Sequence, residues 1–348
     1  MSSDRDLPPS IFTRQPGMAG AVHRDGLVIG VDVGGSKVAA GVVDRDGRIL
    51  SQVRAAMAAG GLPAEGLAAV TSVIDNQLNS HSDIRNTIHG IGICSPGPLD
   101  PKTGVVINPP NLPCWRNYPL ATETARIYEL PVSVDNDGNA AALAEARWGA
   151  GYGYRNVFYA TIGTGIGAGM VFDGQIYHGR TGAAGEGGHM SIDYRGPACG
   201  CGKRGCIEIL ASGPAIACRA RAKLAQETSH ASTIWDLANG CPEAITSEMV
   251  GQANLLGDAA ARSILLETIE LLSVWLGNVV DLLEPDIVVI GGGVASMLKP
   301  FFPDMQAGLS RFCVNSRCGE IPVLPACYGE DAGVAGGAAL CSRVQLGA

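Results

Sequence analysis

Two stretches of the chain share one grammar: LVIGVDVGGSKVAAGVVDRDGRIL at 27–50 and VFYATIGTGIGAGMVFDGQIY at 157–177. In each, an apolar run enters a Gly-rich turn and leaves as a second apolar run. It then reverses at Asp46–Gly47 or Asp173–Gly174 into a third. Asp-Gly between apolar runs is a strong hairpin signal. The unit recurs roughly 130 residues later, in pattern rather than identity, which predicts two similar lobes facing each other. Around it, IHGIGIC (88–94) and LPVSVDND (130–137) read as strands, and the alanine-rich NAAALAEARWGA (139–150) as a helix. Residues 253–283 have helical spacing with Trp275 on the apolar side. PDIVVIGGGVA (285–295) is a buried strand entering a glycine turn, and GEDAGVAGGAALCSRV (329–344) a last helix with small residues along one face. Strands alternating with helices predict an α/β protein.

The chain has 348 residues, more than one core usually holds, which again favours two lobes. Its 46% hydrophobic and 17% charged residues describe a folded protein. The 48 glycines, about twice the usual share, follow no Gly-X-Y period and so must serve turns and close backbone approaches. A net charge of -8 argues against a nucleic-acid surface, which needs a basic footprint. Anionic substrates are still allowed, because loop amides and helix N-termini bind phosphate without lysine. No uninterrupted apolar stretch reaches the ~18 residues of a membrane span. MSSDRDLPPS lacks the basic start and apolar core of a signal peptide, so a cytoplasmic protein is expected. Residues 1–26, with Pro8, Pro9 and Pro16, read as a flexible leader.

Three glycine turns end strands: Asp32–Lys37, Thr161–Gly167 and Gly291–Gly293. Glycine lets backbone amides approach an anion, and the hydroxyls of Ser36, Thr161 and Thr164 can donate to phosphate oxygens. Tight hairpins alone would also use glycine at any one of them. No G-x-x-x-x-G-K-[ST] string exists, which excludes a P-loop. Gly163–Ala168 satisfies a loose dinucleotide fingerprint, but a strand and hairpin follow where that fingerprint must open a helix.

The most specific local signal is H-x₉-C-x-C-x₄-C: His189, Cys199, Cys201 and Cys206. Three thiolates and an imidazole fill a tetrahedral zinc shell and leave no place for water, as structural sites do. A DNA-reading finger would need a basic recognition helix, and only Lys203 and Arg204 are at hand. The other cysteines are scattered and read as core. Asp137 closes one strand and opens the next helix, where a carboxylate either caps the helix or acts on a ligand. Glu186 lies three residues before His189, and Glu208 two after Cys206. A zinc loop would hold these three near one another, suited to vicinal hydroxyls.

Taken together, DVGGSK (32–37), SPGPLD (95–100), PPNLPCW (109–115), DNDGNAAALAE (135–145), TIGTGIGAG (161–169), GAAGEGGHM (182–190) and CGCGKRGCIE (199–208) resemble the ROK family. That family, of repressors and sugar kinases, lies within the actin-like ATPase superfamily, and the likeness runs from about Leu27 to Ala339. The resemblance implies two actin-like lobes with a nucleotide and sugar cleft between them. Residues 27–136 would form the first lobe, joined by a C-terminal helix at 331–348, and 137–330 the second with its zinc loop at 189–206. Asp137 matches the general base. Asn111, Asn136, Glu186, His189 and Glu208 match sugar contacts, and Asp32 the acid near Mg²⁺ and phosphate. Gly34, Gly35, Ser36, Lys37, Thr161, Gly163, Thr164 and Gly165 match the two phosphate loops, and Gly291 and Gly292 the adenosine side.

The implied reaction is ATP-dependent phosphorylation of a hexose at its primary hydroxyl, with Mg²⁺ at the phosphates and structural zinc. PPNLPCW looks like the glucokinase branch and favours glucose. Gly138 stands where most bacterial members carry alanine, and DNDGN is shared with N-acetylmannosamine kinases, so an N-acetylhexosamine is the alternative. A sugar-responsive repressor of the same family would carry a helix-turn-helix domain ahead of the first phosphate motif; 31 residues with prolines precede Asp32. A sugar-binding protein with a dead kinase site is disfavoured by Asp137 and the three glycine loops. The family also implies a homodimer or homotetramer.

Overall fold

Along β1 (Leu27–Val33) successive side chains part to opposite faces, as a pleated strand requires. Leu27, Ile29, Val31 and Val33 enter one core, while Val28 enters another. β2 (Lys37–Val43) and β3 (Ile49–Ala56) complete an antiparallel meander whose turns are those read from the glycines and Asp46–Gly47. After α1 (Pro63–Ser80), β4 (Ile88–Ser95) returns parallel to β1. A short hairpin, β5 (Leu99–Asp100) with β6 (Val105–Val106), and α2 (Leu120–Tyr128) lead to β7 (Val132–Asn136), parallel to β4. The first sheet is thus ordered β3-β2-β1-β4-β7. In this computed structural model, residues 26–80, 85–226 and 232–341 are described. The expected leader lies outside them apart from Gly26.

The second glycine unit builds the same sheet again. After α3 (Asp137–Trp148), β8 (Asn156–Ile162), β9 (Ile166–Phe172) and β10 (Gln175–Ile176) form an antiparallel meander. A helical stretch follows: α4 (Ile207–Ala211), α5 (Gly213–Leu224), α6 (Thr233–Leu237), α7 (Ser247–Leu255) and α8 (Ala259–Leu283). β11 (Ile287–Gly291) then pairs parallel to β8; α9 (Gly293–Leu298) and α10 (Phe302–Gly308) precede β12 (Val323–Pro325). The order β10-β9-β8-β11-β12 repeats the first sheet.

The 253–283 stretch is two helices rather than one. Gly257 takes a positive φ of 87°, and Asp258 caps α8 by accepting from the Ala261 N–H at 2.7 Å. α8 is long and apolar enough to cross a membrane by length and composition. Here it is the centre of a protein core, with Leu265, Leu272, Trp275, Leu276 and Val280 buried against the outer face of the second sheet.

Between the sheets lie α3 and α11 (Ala332–Cys341), both rich in small residues. A Cβ on Gly30 would stand 1.9 Å from the Val334 carbonyl, and one on Gly92 1.8 Å from that of Gly337. Here the glycine surplus lets a helix backbone lie directly on a sheet. The observed C-terminal helix starts at Ala332, and the part of the expected 331–348 helix past Cys341 is outside the described residues.

Candidate active site

Asp32 sits at the C-terminal end of β1, over the first turn of α11. The Cys94 thiol donates to Asp32 Oδ1 at 3.4 Å and to the Gly333 carbonyl at 3.2 Å. Burial raises the Asp32 carboxyl above its usual range, against the Cys94 hydrogen bond and the charge of Arg54. The first glycine turn is closed by Gly34 N–H donating to the Lys37 carbonyl at 2.9 Å. A cavity of about 220 Å³ opens there, lined by Asp32, Gly34, Ser36 and Lys37 together with Gln52 and Arg54 of β3. Gly35 lies against Asn111, whose carbonyl would be 2.9 Å from a Cβ at that position.

Across from this turn, β7 runs into α3. The helix cap is Asn136, not Asp137: Asn136 Oδ1 accepts from the N–H of Gly138 at 2.9 Å and of Asn139 at 3.4 Å. That leaves Asp137 in the first helical turn, its Oδ1 accepting from the Gly138 N–H at 2.8 Å. Asp137 is accessible to solvent, yet protein on all sides of the cleft desolvates it. This desolvation, and then the like charge of Asp32, raise its carboxyl, while the Gly138 N–H opposes the shift.

Ala168 of β9 is the shared floor beneath Asp137 and Glu186. Its carbonyl lies 2.9 Å from where a Cβ would stand on Gly138 and equally on Gly185, and its Cβ 2.9 Å from that on Gly187. Asp137 and Glu186 therefore flank one residue. Glu186 is exposed and precedes the short turn Gly187–His189.

The second glycine turn is braced from outside. Glu208 Oε2 accepts from the Ile166 N–H at 3.0 Å, and the Gly213 N–H donates to the Gly163 carbonyl at 2.8 Å. Glu208 Oε1 lies 3.9 Å from His189 Nδ1. Sequence reasoning gave Glu208 to the sugar; its second oxygen holds the phosphate-type loop. A cavity of about 510 Å³ begins at Gly163 and Thr164 and is walled by Pro214, Arg221, Thr246 and Glu248. Gly293 and Val294 line it, whereas Gly291 ends β11 against the Tyr159 hydroxyl and Gly292 presses on Ile162. The walls at 213–221 and 245–248 carry no motif that the sequence analysis singled out.

His189, Cys199, Cys201 and Cys206 bring one ligand atom each within 4.8 Å of one another. Cys199 Sγ is 3.7 Å from His189 Nδ1, and Cys201 Sγ 3.6 Å from Cys206 Sγ. A zinc tetrahedron with Zn–S about 2.3 Å has edges of about 3.8 Å, so the donor set fits that ion. Burial and then the neighbouring thiols push Cys206 up to about 12, a cost that a dication bound to the three sulfurs would offset. With Nδ1 among the sulfurs, Nε2 is the nitrogen left for another ligand.

The sequence profile of the ROK family matches residues 28–344. The chain is 34% identical to a glucokinase of Thermotoga maritima over 90% of its own length and 96% of that protein. It is 29% identical to a xylose repressor of Caldicellulosiruptor bescii over 85% of this chain and 72% of the repressor. Among solved structures, a ROK glucokinase from Streptomyces griseus in complex with glucose and AMPPNP superimposes with a TM-score of 0.76. That pair is 33% identical, with 91% of this chain and all (100%) of the other covered. The two like sheets are those of a two-lobe actin-like kinase, and the chain belongs to the ROK family.

Proposed function

We propose that the protein is an ATP-dependent hexose kinase that transfers the γ-phosphoryl group to the primary hydroxyl of glucose. The observation that carries this is Asp137: freed from capping by Asn136, it faces the cleft opposite Asp32, between two glycine turns. A sugar sensor has no need of an uncapped acid there, which favours a kinase over a repressor. Phosphoryl transfer has a loose transition state, so positioning and charge stabilisation supply most of the acceleration. Asp137 aligns the hydroxyl and takes its proton late. Gly34, Gly35, Ser36 and Lys37 on one side, with Thr161, Gly163, Thr164 and Gly165 on the other, hold the donor phosphates. Asn111, Asn136, Glu186, His189 and Glu208 contact the sugar, and the cavity at Gly163–Gly293 takes the nucleoside. Asp32 offers the hard oxygen that Mg²⁺ favours alongside phosphates, and the ion would supply charge neutralisation there. Zinc on the His189–Cys206 set would fix the sugar contacts and do no chemistry.

An N-acetylhexosamine is the less favoured alternative: a Cβ on Gly138 would stand 2.9 Å from the Ala168 carbonyl, which supports a helix-on-strand packing reason for this glycine. We further propose lobes at 27–136 with the C-terminal helix and at 137–330, a cytoplasmic location and a homodimer or homotetramer.

The test is ADP release with Mg-ATP across glucose, mannose, fructose, N-acetylglucosamine and N-acetylmannosamine. A dominant glucose signal is expected. Asp137→Asn should cut kcat by about 10²–10⁴ with little change in glucose affinity. An active Asp137→Asn enzyme would remove the base, and silence across the panel with sugar binding intact would return the chain to the sensors.

A further inference from the structure

We propose that His178 is a positioning residue of the sugar site: through Asp135 it fixes the arm that carries Glu186 against the turn that presents Asp137. The inference rests on the sugar-kinase reading above and names a residue that the sequence motifs passed over.

The arm runs from His178, just after β10, to Glu186. Gly179, Gly182 and Gly185 within it take φ of 66°, 90° and 97°, a region that glycine enters freely and other residues rarely. Left to itself, such a segment samples many shapes, so Glu186 needs anchors at both ends. At the far end, Gly185 lies on the Ala168 carbonyl and within 3.5 Å, from its would-be Cβ, of Asn139 Oδ1. At the near end the anchor is His178, whose Nε2 lies 2.6 Å from Asp135 Oδ2 and whose carbonyl accepts from Ala184 N–H at 3.2 Å.

Asp135 makes this anchor more than a surface contact. Its side chain is 4% exposed and that of His178 23%, so the pair is little screened by water. The other carboxylate oxygen, Oδ1, accepts from the Asn136 N–H at 2.8 Å and from Asn139 Nδ2 at 3.1 Å. One carboxylate therefore organises the β7–α3 turn with one oxygen and grips the arm with the other. The first belongs to the strand of one sheet, the second to a loop of the other. Beside the Ala168 floor, this carboxylate ties Asp137 and Glu186 to each other, and the bond requires a proton on Nε2.

Losing the ring should loosen Glu186 far more than the nucleotide pocket, which His178 does not line. Full-length His178→Ala should raise the glucose KM, and the glucose Kd measured calorimetrically without ATP, by about tenfold. The KM for ATP should stay within twofold. His178→Gln, which keeps an N–H donor of similar reach, should recover most of the loss. A glucose KM and Kd within twofold of wild type in the alanine variant would overturn the proposal. So would an equal rise in both KM values, or a glutamine variant no better than alanine. If the alanine variant does not fold, the glutamine variant decides: near-normal glucose KM supports the strut, and a tenfold loss in a folded enzyme refutes it. A wild-type enzyme inactive on every sugar would refute the kinase reading, a result separate from any of these.

Discussion

β1 and β8 occupy the same place in two sheets of the same order, yet differ at two inward-facing positions. Where β1 has Gly30 and Asp32, β8 has Tyr159 and Thr161. The neighbouring strands repeat the contrast, Gly92 pairing with Gly30 and Val289 with Tyr159. In the first sheet the inner face is stripped to backbone so that α11 can lie on it; in the second, tyrosine and valine fill the same layer. Duplicated architecture was kept while the filling diverged, and the divergence falls on the helix interface and the chemical group at the strand end.

The largest expected effect breaks the packing half of that contrast. Gly92→Ala puts a methyl group against the Gly337 carbonyl, with helix backbone as the only thing that can yield. It should destabilise the fold by about 3 kcal/mol or more, read as a fall in the denaturant midpoint. Val289→Ala in the second sheet leaves a small cavity instead, and should cost less. Equal losses would mean that the two inner faces do not differ as argued.

How much of this the sequence discloses follows the same division. The meanders were legible because Asp46–Gly47, Asp173–Gly174 and the glycine turns punctuate apolar runs of strand length. The His189–Cys199–Cys201–Cys206 cluster was legible because its residues lie close together in the chain. The break at Gly257 was missed because apolar spacing continues across it. The cavity beside Gly163 and the Glu208 bond to Ile166 were hidden for another reason: α5, the 245–248 segment and Gly293 meet only in three dimensions. Gly138 had a local explanation in neither direction until its neighbour Ala168 was in place.

The two glycine turns offer a sharper comparison. The second is braced by Glu208, which also stands beside His189, so Glu208→Ala should raise the KM of both glucose and ATP by about tenfold. A rise for glucose alone would make its bond to Ile166 incidental. The first turn is held by main chain instead, Met57 N–H donating to the Ser36 carbonyl at 3.0 Å; Arg54 beside it is half-exposed and held by Asp331 at 3.2 Å. Arg54→Gln should raise the ATP KM by about threefold, less at high salt, because exposed charges are screened.

The smallest effect tests the other difference, an acid at Asp32 against a hydroxyl at Thr161. Only the first unit places a second negative charge near Asp137, adding to the desolvation that already raises its carboxyl. A raised carboxyl keeps its proton to higher pH, so the base is lost sooner as the medium is acidified. The acid limb of kcat/KM should therefore lie above the 3.8 of an ordinary aspartate. In Asp32→Asn the like charge is gone and desolvation remains. The limb should then move down while staying above the ordinary value. A limb that does not move would mean that burial alone sets Asp137, and that the acid of the first unit acts only on the phosphates.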